Sequence, residues 1–85
     1  MKEINRDDVR DTLFQIIESV LKIDAASITE AQELATDLRI DSLALYEIVV
    51  DIEDRYSLRI SNDEADDLKT VGDAVDFIVK KIGQP

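Results

Sequence analysis

The chain contains no cysteine and no histidine, and these two absences exclude more than any residue present establishes. Without cysteine there is no disulfide to staple the fold, no thiolate nucleophile and no thiolate ligand for zinc. Without histidine the usual general base, metal ligand and near-neutral pH switch are missing. No serine has an imidazole to activate it, so hydrolytic nucleophilic catalysis is disfavoured. Two glycines and one proline are too few for a β protein full of tight turns. Aromatics make up only 5% of the chain, so the core is expected to be aliphatic. No apolar run approaches membrane-spanning length, and the N-terminus lacks a positive-then-apolar signal pattern. The expectation is one helical, non-enzymatic, cytoplasmic domain over residues 1–85.

What is present is aliphatic and acidic. At 85 residues the chain lies near the size where a single core is only just sufficient. Its hydrophobic 45% is mostly Leu, Ile, Val and Ala. Twenty acidic residues against ten basic ones leave a net charge of −10 and a pI near 4.2. Such a surface is repelled by nucleic acid and by anionic lipid, and it favours basic protein partners.

Asn5, followed by Asp7 and Asp8, resembles a helix start. Val9, Leu13, Ile16, Ile17, Val20 and Leu21 then recur at helical spacing, so residues 6–21 form a first helix, with Lys22 at its end. From Ile23 to Ile40 the pattern breaks into a long loop, with a turn at 30–35 and scattered anchors at Ile28, Leu34, Leu38 and Ile40. A connection of this length in a small domain is often functional. A second helix is predicted over 42–56 on Leu45, Ile48, Val49, Ile52 and Tyr56. Leu58 and Ile60 bracket a short extended link. A short third helix starts from an Asn62 cap and ends near Leu68. Thr70 to Asp73 reads as a capping box for a final helix, with Ala74, Val75, Ile78, Val79 and Ile82 inward and Gly83 and Pro85 as stops. Phe14 and Phe77 read as core, and Tyr46 and Tyr56 as partly buried.

Two features carry the chemistry. Asp41-Ser42-Leu43 opens the second helix, where unpaired backbone N–H groups and the dipole favour a phosphate near the Ser42 hydroxyl. Ser42 is there either as a cap or as a substrate for modification. The window Asp41–Asp67 holds nine carboxylates against Arg55 and Arg59, giving −9 + 2 = −7. Glu47, Asp51 and Asp54 lie at i, i+4 and i+7 on one helix face, with Glu53 beside them. Asp63, Glu64, Asp66 and Asp67 extend the patch. This reads either as a solvated face or as a docking strip for basic enzymes, one that raises association rate and specificity. No metal site is expected, because adjacent carboxylates on a helix diverge and no calcium loop is present.

Leu38-Arg39-Ile40-Asp41-Ser42-Leu43, then Glu47 and the Asp51–Asp54 stretch, resemble a bacterial acyl carrier protein. Leu58-Arg59-Ile60 and the run Asp67-Leu68-Lys69-Thr70-Val71-Gly72-Asp73-Ala74 extend the likeness, and Lys69–Ala74 resembles stand-alone (type II) actinomycete members in particular. The resemblance covers nearly the whole chain. It implies an all-α four-helix bundle, three main helices and one short one, with the long loop between helices 1 and 2. It implies that Ser42, flanked by Asp41 and Leu43, receives 4′-phosphopantetheine from coenzyme A through a phosphopantetheinyl transferase. The arm's thiol then holds acyl chains as thioesters for acyl-transferring, condensing and reducing enzymes with basic docking patches. Leu43, Glu47, Val50 and Glu53 match partner-contact positions, as does Ile60 beside the third helix. The acidic residues Asp51, Asp54, Asp63 and Glu64 join that surface, and a monomer is expected. Arg39 stands where the family often has glycine, Ala44 at a position often acidic, Arg55 within the usual acidic run, and Ser61 where proline is common. These departures bear on the partner set, in fatty acid synthesis or in a specialised polyketide or lipopeptide pathway. An unmodified acidic helical adaptor is the competing reading.

Overall fold

The structure is a computed structural model that describes residues 4–83. Among those residues there are four α-helices and no strand: α1 (Arg6–Leu21), α2 (Ser42–Tyr56), α3 (Asn62–Asp66) and α4 (Val71–Gly83). Helix α1 begins where the Asn5 side chain accepts the Asp7 N–H at 2.9 Å, with Asp7 and Asp8 in the first turn. It ends at Lys22, whose left-handed backbone (φ 61°) lets its N–H bond the Glu18 carbonyl at 2.8 Å. Helix α4 opens on the predicted box: the Thr70 hydroxyl accepts the Asp73 N–H at 3.0 Å, and the Asp73 carboxylate accepts the Thr70 N–H at 3.2 Å. Pro85 lies outside the described residues.

Helix α1 packs on both α2 and α4. Its 3.6-residue stripe places Leu13, Ile16 and Ile17 in full burial against Ile48 and Ile52 of α2 and Val71, Val75 and Ile78 of α4. Leu13, Ile17, Ile48, Ile52 and Ile78 also line a narrow, wholly apolar internal space. Phe14 and Phe77 stand half-buried at the edge of this core.

The long connection between α1 and α2 is fastened at several points. A short 3₁₀ turn at Ala25–Ser27, which the sequence pattern did not signal, is capped by Asp24. The turn expected at 30–35 extends to residue 38. The loop is pinned to the start of α4 by Leu34 N–H to the Lys69 carbonyl (2.8 Å), Val71 N–H to Gln32 (3.0 Å) and Gly72 N–H to Glu30 (2.9 Å). Gly72 permits this approach, since a Cβ there would come within 3.3 Å of the Glu30 carbonyl oxygen. Arg6 adds an ionic fastening, reaching Glu30 with one guanidinium nitrogen at 3.0 Å and Asp76 with Nε at 2.7 Å. Buried Ile28, Leu34 and Ile40 complete the anchorage, so the loop delivers Ser42 from a fixed position.

Helix α3 corrects two expectations. Its cap is Ser61 rather than Asn62: the Ser61 hydroxyl accepts the Glu64 N–H at 3.1 Å and the Glu64 carboxylate accepts the Ser61 N–H at 2.9 Å. The helix also stops at Asp66, before Leu68.

Candidate functional site

The Ser42 site starts from a division of labour at the head of α2. The Asp41 side chain caps the helix, accepting the Ala44 N–H at 2.8 Å. Ser42 is the first helical residue, and its exposed hydroxyl has no hydrogen-bond partner among the described residues. The other serines differ: the Ser27 hydroxyl donates to the Asp24 carbonyl, Ser61 caps α3, Ser57 is the left-handed C-cap of α2, and Ser19 lies in the interior of α1. Among the described residues only Ser42 joins a free hydroxyl to the first turn of a long helix.

Beside it runs a groove of about 300 Å³ between α2 and α3, lined by Ser42, Leu45, Tyr46, Val49, Asn62, Ala65 and Asp66. Leu45 and Val49 line both this groove and the internal apolar space, so they form the wall between the two. Arg39, three residues before Ser42, holds a left-handed backbone (φ 54°) that turns the chain so that the Ile40 N–H bonds the Leu34 carbonyl at 2.9 Å.

The outward face of α2 carries Leu43 (66% exposed), Tyr46 (65%) and Val50 (42%) among its acids. Tyr46 is therefore a surface residue and not the partly buried one expected. It sits one residue off the stripe Leu45, Ile48, Val49 and Ile52, an offset readable from the sequence, while Tyr56 is half-buried as expected. Glu47, Asp54 and Asp63 are exposed and unpaired among the described residues. Asp51 pairs with Arg55 at 3.0 Å. Three of the acidic or apolar contact residues are engaged inside the molecule. Glu53 accepts the Ile60 N–H at 2.8 Å, and Glu64 pairs with Lys81 at 2.8 Å. Ile60 is buried, which corrects its assignment as a surface contact. Its side chain completes the core beneath the link, and Glu53 holds its backbone.

Electrostatics follow these contacts. The Arg6 guanidinium holds the Glu30 carboxyl below the usual carboxylate range. Lys81, with help from the Ser61 N–H, does the same for Glu64. Both pairs are only partly buried and remain in contact with solvent, so each serves more as a positional fastening than as a large source of stability.

The family described as the phosphopantetheine attachment site matches residues 11–78. The chain belongs to this family, among the bacterial acyl carrier proteins. It is 38% identical over 76 residues to the acyl carrier protein of Tropheryma whipplei, covering 89% of this chain and 93% of that one. It is 36% identical over 77 residues to the meromycolate extension acyl carrier protein of Mycobacterium leprae, covering 91% and 67%. The solved acyl carrier protein of Enterococcus faecalis superposes with a TM-score of 0.76 at 33% identity, covering 92% and 99%. The chain is thus a carrier and not a catalyst, and it bears covalent 4′-phosphopantetheine. Its partners include a phosphopantetheinyl transferase and biosynthetic enzymes. The residues present fit the group: a free serine hydroxyl at a helix N-terminus, with an open groove beside it. Among the described residues no helix is long and apolar enough to cross a membrane.

Proposed function

We propose that Ser42 is the attachment residue and that the α2 face presents the cargo to enzymes with basic docking patches. The observation that carries this reading is the Asp41–Ser42 division. Asp41 supplies the cap, so the Ser42 hydroxyl has no structural duty and stands where backbone N–H groups and the helix dipole favour a phosphate. When attached, the group supplies a terminal thiol that holds acyl chains as thioesters. The chain's own residues tether and orient. Asp41 and the pinned loop fix the serine, Leu43 flanks it, and the groove past Tyr46 and Val49 receives the arm. A tether of this kind raises the effective concentration of substrate at each enzyme in turn.

The docking strip comprises Leu43, Glu47, Val50, Asp51 and Asp54, with Asp63 at its margin and Glu53 and Glu64 supporting it from inside. A monomeric, cytoplasmic carrier with a single domain over residues 1–85 accounts for the acidic surface and the one aliphatic core. Fatty acid synthesis or a related lipid or polyketide pathway is the cargo's context. A specialised polyketide or lipopeptide pathway is the alternative, raised by the departures at Arg39, Ala44, Arg55 and Ser61.

Because the chain has no cysteine, the test is simple. Incubation with coenzyme A and a transferase should create one titratable thiol per chain. Ser42→Ala should create none, and a thiol appearing in that variant would overturn the assignment. Glu47→Lys should raise the KM of partner enzymes.

A further inference from the structure

We propose that Arg59, outside α2, selects among partner enzymes: it pairs with a carboxylate that flanks the basic patch of a cognate enzyme. This deepens the docking reading above and rests on it. Two open grooves flank the exposed Val50. One, of about 500 Å³, lies toward α1 and includes Tyr46 and Glu47. The other, of about 470 Å³, lies toward the link after α2 and includes Leu58 and Arg59. Val50 and Asp54 line both, so the surface is continuous from Tyr46 to Arg59.

The charges on that surface are not uniform. Of the two cations in the acidic window, Arg55 is compensated by Asp51 at 3.0 Å. Arg6 and Arg10 are likewise paired with acids elsewhere on the molecule. Arg59 is exposed and forms no ion pair among the described residues, although Glu53 and Asp54 line the same groove. Glu53 is committed to the Ile60 N–H at 2.8 Å. The continuous face therefore offers uncompensated negative charge at Glu47 and Asp54, an apolar ridge at Val50, and one uncompensated positive charge at its far end.

The complementary partner has basic residues opposite Glu47 and Asp54, an apolar residue over Val50, and a carboxylate opposite Arg59. A partner whose patch is basic throughout meets like charge at Arg59 and is disfavoured. Discrimination of this sort changes association more than chemistry, so it appears in KM and not in kcat.

The experiment uses holo carrier loaded as the acetyl thioester, in wild-type, Arg59→Glu, Arg59→Lys and Glu47→Lys forms. Each is assayed with a condensing enzyme encoded in the same genome and with a carrier-dependent condensing enzyme whose patch contains only Lys and Arg. Arg59→Glu should raise KM for the first by about fivefold and lower it for the second, with kcat unchanged. Arg59→Lys should retain the wild-type pattern. A shift of both KM values in the same direction, or no shift in either, would overturn the proposal. Glu47→Lys separates the two levels: it should raise KM for both enzymes, and if it leaves both unchanged the docking strip itself fails. Circular dichroism should show the same fold in all four forms.

Discussion

The Asp41 carboxylate and the Ser42 hydroxyl are neighbours at one helix terminus, and the first caps the helix while the second is left free. The Asp41 bond to the Ala44 N–H, at 2.8 Å, satisfies one of the donors that a helix start leaves unpaired. Asp41→Ala should therefore cost about 1 kcal/mol, which in a domain of this size lowers Tm by roughly 4–8 °C. Asp41→Asn should recover most of the loss, because Asn caps about as well as Asp. Thermal unfolding followed by circular dichroism checks both. A silent Asp41→Ala would mean that Ser42 or water can take over the cap.

Lys22 ends α1 in the left-handed region at φ 61°. That conformation costs a residue with a Cβ roughly 1–2 kcal/mol, and glycine is spared it. Glycine also loses more chain entropy on folding, which offsets part of the gain. Lys22→Gly should raise Tm by a few degrees, and a lower Tm in the same unfolding assay would contradict this.

The loop clamp should respond to pH. Glu30 is held below the usual carboxylate range by Arg6, so the pair's contribution is fully present above the ordinary carboxylate pKa. It is lost as pH falls through the lowered value. Glu30→Gln should be less stable than wild type at neutral pH, and the difference should close in strong acid. The same sign holds for Glu64→Gln through Lys81. Tm measured from pH 7 down to about pH 3 tests it. Each variant must be compared with wild type at the same pH, because protonation also relieves the repulsion of a chain at −10.

Ile17 is fully buried and borders the narrow apolar space inside the bundle, so deleting its side chain leaves a cavity there. Ile17→Ala, at a fully buried position, should cost about 2–5 kcal/mol, a large part of what so small a domain has available. Urea unfolding should show a lowered midpoint with the slope unchanged. That space is narrow, so sheltering an acyl chain along it requires the helices to part and widen it. The aliphatic composition permits that opening, but the structure as it stands is closed.

The three long helices were legible because each buries one stripe, and a 3.6-residue period can be read from a single segment. The bounds of α1 and α2 follow from Asn5 and from Asp41–Ser42 on that basis. The loop was not legible. Its fastenings join Glu30 to Gly72, Leu34 to Lys69 and Arg6 to Glu30, across separations that no local pattern encodes. The cap of α3 was misplaced by one residue because Ser61 and Asn62 are both good caps; only the reciprocal bonds with Glu64 decide between them. At the candidate site, the place of Ser42 at the head of α2 and the exposure of Glu47, Asp54 and Asp63 were legible from residue type and spacing. That Glu53 turns inward to hold Ile60, and that Tyr46 turns outward, depends on how the link folds back and on a one-residue offset from the buried stripe.

Whether Ser42 carries the arm is decided by peptide mapping. The chain should be incubated with coenzyme A and a phosphopantetheinyl transferase, weighed intact, digested and sequenced by tandem mass spectrometry. The expected result is a mass gain of one phosphopantetheine, carried wholly on the peptide containing Asp41-Ser42-Leu43 and absent from Ser42→Ala. The same mass on Ser19, Ser27, Ser57 or Ser61, or its persistence in Ser42→Ala, would contradict it.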